Sequence, residues 1–185
     1  MFDDVRQDAE HRMQSALDAL SRELAAVRTG RASASLVDRI QVEYYGTLTP
    51  LNQVAGISVP EARTIMIQPW ERSTIPHIER ALQKSDLGLT PNSDGVVIRL
   101  NIPTLTEDRR KTLVKTVKSR VEDGKVALRN VRRDAVDSVK ALLKDKQITE
   151  DDERRAHQEL DTLTRRFTDE ADRMGSAKEA EVLEV

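Results

Sequence analysis

Apolar residues recur every three or four positions along three long segments of the chain, which is the spacing of an amphipathic α-helix. The first segment covers residues 2–28, the second runs from Thr106 to about Lys146 without a proline, and the third opens at Thr149. The apolar stripe of the second segment consists of Leu113, Val117, Val121, Leu128, Val131, Ala135, Val139 and Leu142. Because each stripe must be covered to exclude water, the three helices are predicted to pack together as a long antiparallel bundle.

Residues at the ends of these segments favour the same boundaries. Gly30 follows the first segment and accepts the positive φ at which many helices end. Either Thr104 or Thr106 is the predicted N-cap of the second helix. The run Thr149–Asp152 is a capping-box pattern and predicts the start of the third helix.

Between the first and second helices the spacing of apolar residues changes from helical to strand-like. Ile40, Val42 and Tyr44 alternate with polar residues, which is typical of a strand. Strand patterns occupy residues 38–45, 65–67 and 96–98, and a short helix is predicted over residues 75–85. The whole stretch is therefore predicted to be a small β-rich α/β unit inserted into the helical bundle.

The predicted fold class is α+β, a three-helix bundle with a small inserted β/α domain. The predicted boundaries give the bundle residues 1–29 and 105–185, and give the inserted domain residues 30–104. The chain crosses between the two domains twice, and a paired crossing permits a hinge. The predicted hinge residues are Thr29, Gly30, Arg31, Pro103, Thr104, Leu105 and Thr106.

Charge is strongly segregated along the chain, although the whole sequence has a formal net charge of only −2. Residues 107–146 carry 13 Lys/Arg against 7 Asp/Glu, a net charge of +6, while residues 147–185 carry −6. On a helical projection, nine cations gather within an arc of roughly 120° beside the apolar stripe. We call them the basic arc: Lys111, Lys115, Lys118, Lys125, Arg129, Arg132, Arg133, Lys140 and Lys144.

A basic arc along a rod on the order of 60 Å long favours a polyanionic partner, and RNA is the leading candidate. The competing interpretation is a merely solvated outer face, which every long bundle helix needs. Two observations favour RNA. Among acids only Glu107 and Glu122 fall well inside the arc. The arc also concentrates arginine at Arg129, Arg132 and Arg133, and the planar guanidinium binds phosphate in a fork that lysine does not match.

The sequence offers little for catalysis, and neither an enzyme nor a cofactor is expected. There are no cysteines, and the three histidines are scattered over separate elements without metal-ligand spacing. Trp70, the only tryptophan, is predicted to pack. No apolar run reaches membrane-spanning length and the N-terminal residues lack a signal pattern, so a cytoplasmic protein is expected, or an organellar one after processing.

Two other classes of function stay open on the residues alone. A scaffold or coiled-coil adaptor would show strict heptads or a stripe too wide for the bundle to bury, whereas these stripes are just wide enough for a self-contained bundle. A nucleotide-dependent enzyme would bind GTP or ATP by itself, and the sequence shows no phosphate-binding glycine loop.

Several motifs together resemble the ribosome recycling factor family. They are Val27–Ser33, Val42–Gly46, Ser85–Leu89, Leu105–Lys111 and Arg129–Ala135, and the resemblance covers essentially the whole chain in order. The departures are small: Asp108 stands where the family more often has glutamate, and Leu128 where a β-branched residue is more usual.

The resemblance implies an L-shaped, tRNA-sized protein that acts after translation termination. Members of the family bind the 70S ribosome, chiefly through large-subunit rRNA. With GTP-bound elongation factor G they split it into subunits, which frees mRNA and tRNA. No membrane partner is implied, and a monomer is expected. The matching RNA-contacting positions are Arg129, Arg132 and Arg133, together with Arg28 and Arg31 beside the first crossing and Arg109, Arg110 and Lys111 after the second.

Overall fold

The computed structural model describes residues 1–184 and divides the chain into two compact units. The helices are α1 (Phe2–Ala25), α2 (Ile75–Lys84), α3 (Glu107–Lys144) and α4 (Glu150–Leu183). The first unit holds α1, α3 and α4, and the second unit covers Gly30–Leu105. The predicted α+β class is confirmed, with long helices in one unit and the strands in the other.

The apolar stripes of the three long helices form the core of the first unit. Seven of the eight predicted stripe residues of α3 are buried, and Leu142 near its end is half-buried. From the other helices the core receives Ala9, Met13, Leu17, Leu20, Leu24, Ala156, Leu160, Leu163, Phe167 and Ala171. Each fully buried leucine contributes roughly 1.5–3 kcal/mol by leaving water, so this shared stripe holds the bundle together.

Caps fix the starts of α3 and α4. The hydroxyl of Thr106 accepts a hydrogen bond from the backbone N–H of Arg109 at 3.2 Å, so Thr106 and not Thr104 is the N-cap of α3. The predicted capping box of α4 is confirmed: Asp152 accepts from the backbone N–H of Thr149, while Thr149 accepts from that of Asp152. The bonds donated by Thr149 lower the pKa of the Asp152 carboxyl.

The first helix ends earlier than the sequence predicts. It stops at Ala25, and the N–H of Val27 then bonds to the carbonyl of Leu24 at 3.1 Å, which winds one tighter turn. Gly30 therefore does not cap α1. Its φ of +77° lies in the crossing, and a Cβ there would lie 3.0 Å from Cγ of Leu105, so glycine permits the two crossing segments to approach closely.

The second unit contains six strands in two antiparallel sheets. They are β1 (Gln41–Tyr44), β2 (Thr47–Pro50), β3 (Ala55–Glu61), β4 (Thr64–Pro69), β5 (Pro91–Ser93) and β6 (Ile98–Asn101). The hairpin β1–β2 turns at Tyr45 and Gly46, both with positive φ, and the other strands form a sheet in the order β3-β4-β6-β5. Helix α2 buries Ile75, Ile78 and Leu82 in the core of this unit.

The predicted strand at 96–98 begins two residues late, at Ile98. The Asp94 carboxylate accepts from the backbone N–H groups of Val96 and Val97, both at 2.9 Å, and these bonds hold the preceding residues in a turn. The same bonds lower the pKa of Asp94. A local side-chain interaction thus competes with the ladder for these N–H groups.

The prediction that Trp70 packs is wrong, because its side chain is 70% exposed. Beside it, Glu71 accepts hydrogen bonds from the hydroxyls of Tyr44 and Tyr45 at 2.9 and 2.8 Å. These bonds raise the pKa of both phenols, since ionisation would place a phenolate against the carboxylate. The carboxylate therefore fixes the hairpin and holds Tyr45 in an exposed position.

Candidate nucleic-acid interface

The basic arc lies on one continuous helix, so its members keep the spacing that the projection assigns. Helix α3 runs unbroken for 38 residues. At 1.5 Å per residue this is about 55 Å of helix. Within the arc, seven of the nine side chains are exposed, and Lys125 and Arg132 are half-buried.

Two members of the arc pair with acids of α3 itself. The Nζ atom of Lys111 lies 3.0 Å from the Glu107 carboxylate, one helical turn earlier. An Nη atom of Arg129 lies 2.6 Å from the Glu122 carboxylate. These acids are the two that fall well inside the arc, so the arc's own acids neutralise two of its cations.

Two further members pair with acids of α4. Asp161 accepts from Nε of Arg132 at 2.7 Å and lies 2.5 Å from its Nη2. Asp172 forms an ion pair with Lys125. Ion pairs that remain in contact with solvent, as these do, stabilise a fold by only about 0–1 kcal/mol. Their main effect here is on charge, because α4 partly neutralises the middle of the arc.

The remaining five members carry the uncompensated charge of the arc. Within residues 1–184, the lysines Lys115, Lys118, Lys140 and Lys144 form no ion pair. Arg133 has only a distant contact, 3.9 Å from Asp134, and Asp134 is itself bound by Arg12 at 2.9 Å. Free cations therefore lie on both sides of the paired residues Lys125, Arg129 and Arg132, whereas the N-terminal end of the arc, Lys111, is itself paired.

The other predicted RNA-binding residues do not join this arc. Arg109 and Arg110 lie in the first turn of α3 but point to other sides of the helix, about 160° and 100° from Lys111. Arg110 is half-buried, and its Nε finds no partner among the described side chains. Arg28 is exposed beyond the end of α1, and Arg31 is exposed in the second unit.

Two other kinds of site are absent from the described residues. No group of three or more His, Cys, Asp or Glu side chains is placed to hold a metal ion within residues 1–184. Among those same residues, no helix combines the length and the apolar character needed to cross a membrane. An arc of exposed cations is suited to contacting phosphate groups, which fixes position without reading base sequence.

A family model and full-length relatives both match this chain to the same protein family. The family model described as ribosome recycling factor matches residues 20–183. Ribosome-recycling factors from Halalkalibacterium halodurans and Thermomicrobium roseum are 55% and 51% identical to this chain over 185 residues, covering 100% of each protein.

Two solved structures are similar over the full chain. A solution structure of ribosome recycling factor has a TM-score of 0.73 and 40% identity, covering 100% of this chain and 98% of that one. The second comes from models of the T. thermophilus ribosome recycling factor and E. coli elongation factor G bound to the E. coli post-termination complex. It has a TM-score of 0.64 and 41% identity, with 100% of both chains covered.

Proposed function

Because the chain belongs to the ribosome recycling factor family, we propose that it acts on the ribosome after translation has terminated. It binds the post-termination 70S ribosome through rRNA, chiefly of the large subunit. With elongation factor G and GTP it then promotes dissociation into subunits and releases mRNA and tRNA. The role is non-enzymatic, since GTP hydrolysis belongs to the elongation factor, and the protein acts as a monomer in the cytoplasm.

The observation that carries this proposal is the basic arc of α3. Five uncompensated cations are spread along one face of a single helix, and Arg132 is held among them. Lys and Arg contacts to phosphate supply most of the affinity for nucleic acid and make it depend on salt. We therefore assign the arc, with Arg129, Arg132 and Arg133, to the rRNA contact. Arg28, Arg31, Arg109, Arg110 and Lys111 contribute contacts near the two crossings.

Subunit splitting tests this function directly. Light scattering by post-termination ribosomes is expected to fall only when this protein, elongation factor G and GTP are all present. The Arg132→Ala variant is expected to split ribosomes about tenfold less efficiently at subsaturating protein, because one charge-assisted phosphate contact is lost. Arg120→Ala is the matched control, since Arg120 is exposed on the opposite side of α3. A fully active Arg132→Ala variant would contradict the rRNA contact, and a folded wild type without activity would contradict the function.

We further propose that the two chain crossings act as a hinge between the units. The residues are Thr29, Gly30, Arg31, Pro103, Thr104, Leu105 and Thr106, and all lie outside the helices and strands. NMR relaxation of the free protein is expected to give different rotational correlation times for the two units. One shared correlation time, with uniformly low backbone mobility at the crossings, would show that the junction is rigid.

A further inference from the structure

The ion pair between Arg132 and Asp161 differs from every other pair of the basic arc. Asp161 approaches from α4 and contacts two nitrogens of one guanidinium, Nε at 2.7 Å and Nη2 at 2.5 Å, through the single oxygen Oδ1. Arg132 stays 39% exposed. The carboxylate thus covers one edge of the guanidinium, while the end that carries Nη1 and the second N–H of Nη2 makes no other described contact.

That free end is the part of an arginine that binds phosphate with two parallel hydrogen bonds. An unrestrained arginine loses rotamer freedom when it orders on a partner, which weakens binding. An arginine already held by a neighbouring helix has lost that freedom before the partner arrives. The buttressing carboxylate therefore prepares Arg132 for phosphate.

In the other ion pairs of the arc within residues 1–184, no arginine is held through two nitrogens by a carboxylate of another helix. Glu122 contacts Arg129 through one nitrogen and comes from the same helix. Asp172 reaches across from α4 as Asp161 does, but its partner Lys125 carries a compact ammonium. An ammonium acts as a point charge and gains little from being oriented. Orientation matters most at Arg132.

We propose that Asp161 is a positioning residue that holds Arg132 in its RNA-binding conformation. The proposal rests on the proposed function, because it requires Arg132 to contact rRNA. The negative charge of Asp161 also repels an approaching phosphate, so the residue acts in two opposed ways. Orientation outweighs repulsion here, since the carboxylate lies on the far edge of the guanidinium and is 51% exposed to screening solvent.

Two substitutions at Asp161 separate orientation from charge. Asp161→Ala removes both the acceptor and the charge, and is expected to weaken binding to purified large subunits by about fivefold. Asp161→Asn keeps an oxygen that accepts from Nε and Nη2 but removes the charge, and is expected to bind at least as tightly as wild type. A residue that only repels phosphate would give tighter binding in both variants. If Asp161 were needed only for folding, weaker binding by Asp161→Ala would be accompanied by a lower melting temperature measured by circular dichroism.

Two controls complete the test. Asp172→Ala breaks a second ion pair between α3 and α4, and is expected to bind as tightly as wild type or more tightly. In the Arg132→Ala background, Asp161→Ala is expected to cause no further loss. If Asp161→Ala binds as well as wild type while Arg132→Ala binds poorly, positioning is overturned and the rRNA contact stands. If Arg132→Ala itself binds normally, both proposals are overturned.

Discussion

Replacing Lys115, Lys118, Lys140 and Lys144 together by glutamine is expected to weaken binding to the large ribosomal subunit by roughly two orders of magnitude. These four lysines of the basic arc have no ion-pair partner within residues 1–184. If they contact phosphate as proposed, each contact releases counterions without first breaking an internal ion pair. All four are exposed, so glutamine should leave the bundle folded.

The salt dependence of binding checks this prediction more sharply than a single affinity. Each lost phosphate contact makes the plot of log affinity against log salt shallower by about 0.7–0.9. For four lysines the slope should fall by about 3 between ~50 and ~200 mM salt. Circular dichroism should show unchanged helix content. An unchanged slope would mean that these lysines do not contact RNA.

A second variant with the same change in net charge separates local contact from long-range attraction. Its substitutions fall on four exposed cations elsewhere on the bundle, namely Arg6, Arg22, Arg120 and Arg155, each replaced by glutamine. This variant is expected to lose less than about threefold in affinity, because long-range attraction is largely screened beyond roughly 10 Å. Equal losses in the two variants would assign binding to overall charge and not to the arc.

The long helices could be predicted because their signal repeats many times. The stripe of α3 spans eight positions, so the prediction of this helix does not depend on Leu142, the one member that is half-buried. The capping box at Thr149 gave the start of α4, because a side-chain cap is a local interaction within four residues. The end of α1 was misplaced, since it depends on where the chain leaves the bundle and not on a local motif.

The strands of the second unit were predicted less completely. Strands β2, β3 and β5 were missed, and two of them have only three or four residues. Pro60 made the β3 region resemble a loop, yet β3 lies at the edge of the sheet, where a missing backbone N–H is tolerated. The exposure of Trp70 was also missed, because a sequence does not show which face of a strand end remains uncovered.

The candidate interface also has one part that could be predicted from the sequence and one part that could not. The nine cations of the basic arc follow from the period of one helix, and their positions could be read from the sequence. The ion pairs that Arg132 and Lys125 each form with an acid of α4 could not be read from the sequence, because they depend on how α4 packs against α3. Asp161 and Asp172 lie eleven positions apart on α4, and nothing in their local sequence identifies them as partners of the arc.

Gly175→Ala is expected to destabilise the first unit by about 1–2 kcal/mol, although alanine is the better helix former. Gly175 lies in the interior of α4, and a Cβ there would lie 2.5 Å from Cγ2 of Val121 on α3. Valine is stiff at χ1, so it cannot turn this methyl aside cheaply. Thermal unfolding followed by circular dichroism should show a melting temperature lower by roughly 2–8 °C.

The same substitution at Gly124 is the matched control. A Cβ at Gly124 would lie 3.1 Å from Cδ2 of Leu20, which is the far end of a flexible side chain. Leu20 can yield by a few tenths of an ångström, so Gly124→Ala is expected to gain up to about 1 kcal/mol from helix propensity. Two Gly→Ala changes in one bundle should therefore shift stability in opposite directions. Equal shifts would show that propensity alone governs both positions.

The contact itself is identified by combining Gly175→Ala with Val121→Ala. Alone, Val121→Ala leaves a small cavity and is expected to cost on the order of 2 kcal/mol. In the double variant the new methyl at position 175 fills the space that Val121 vacates, so the combined loss should be smaller than the sum by about 1 kcal/mol or more. Strictly additive losses would mean that α3 and α4 accommodate the methyl by moving apart. The close approach at Gly175 would then not determine the spacing of the helix that carries the basic arc.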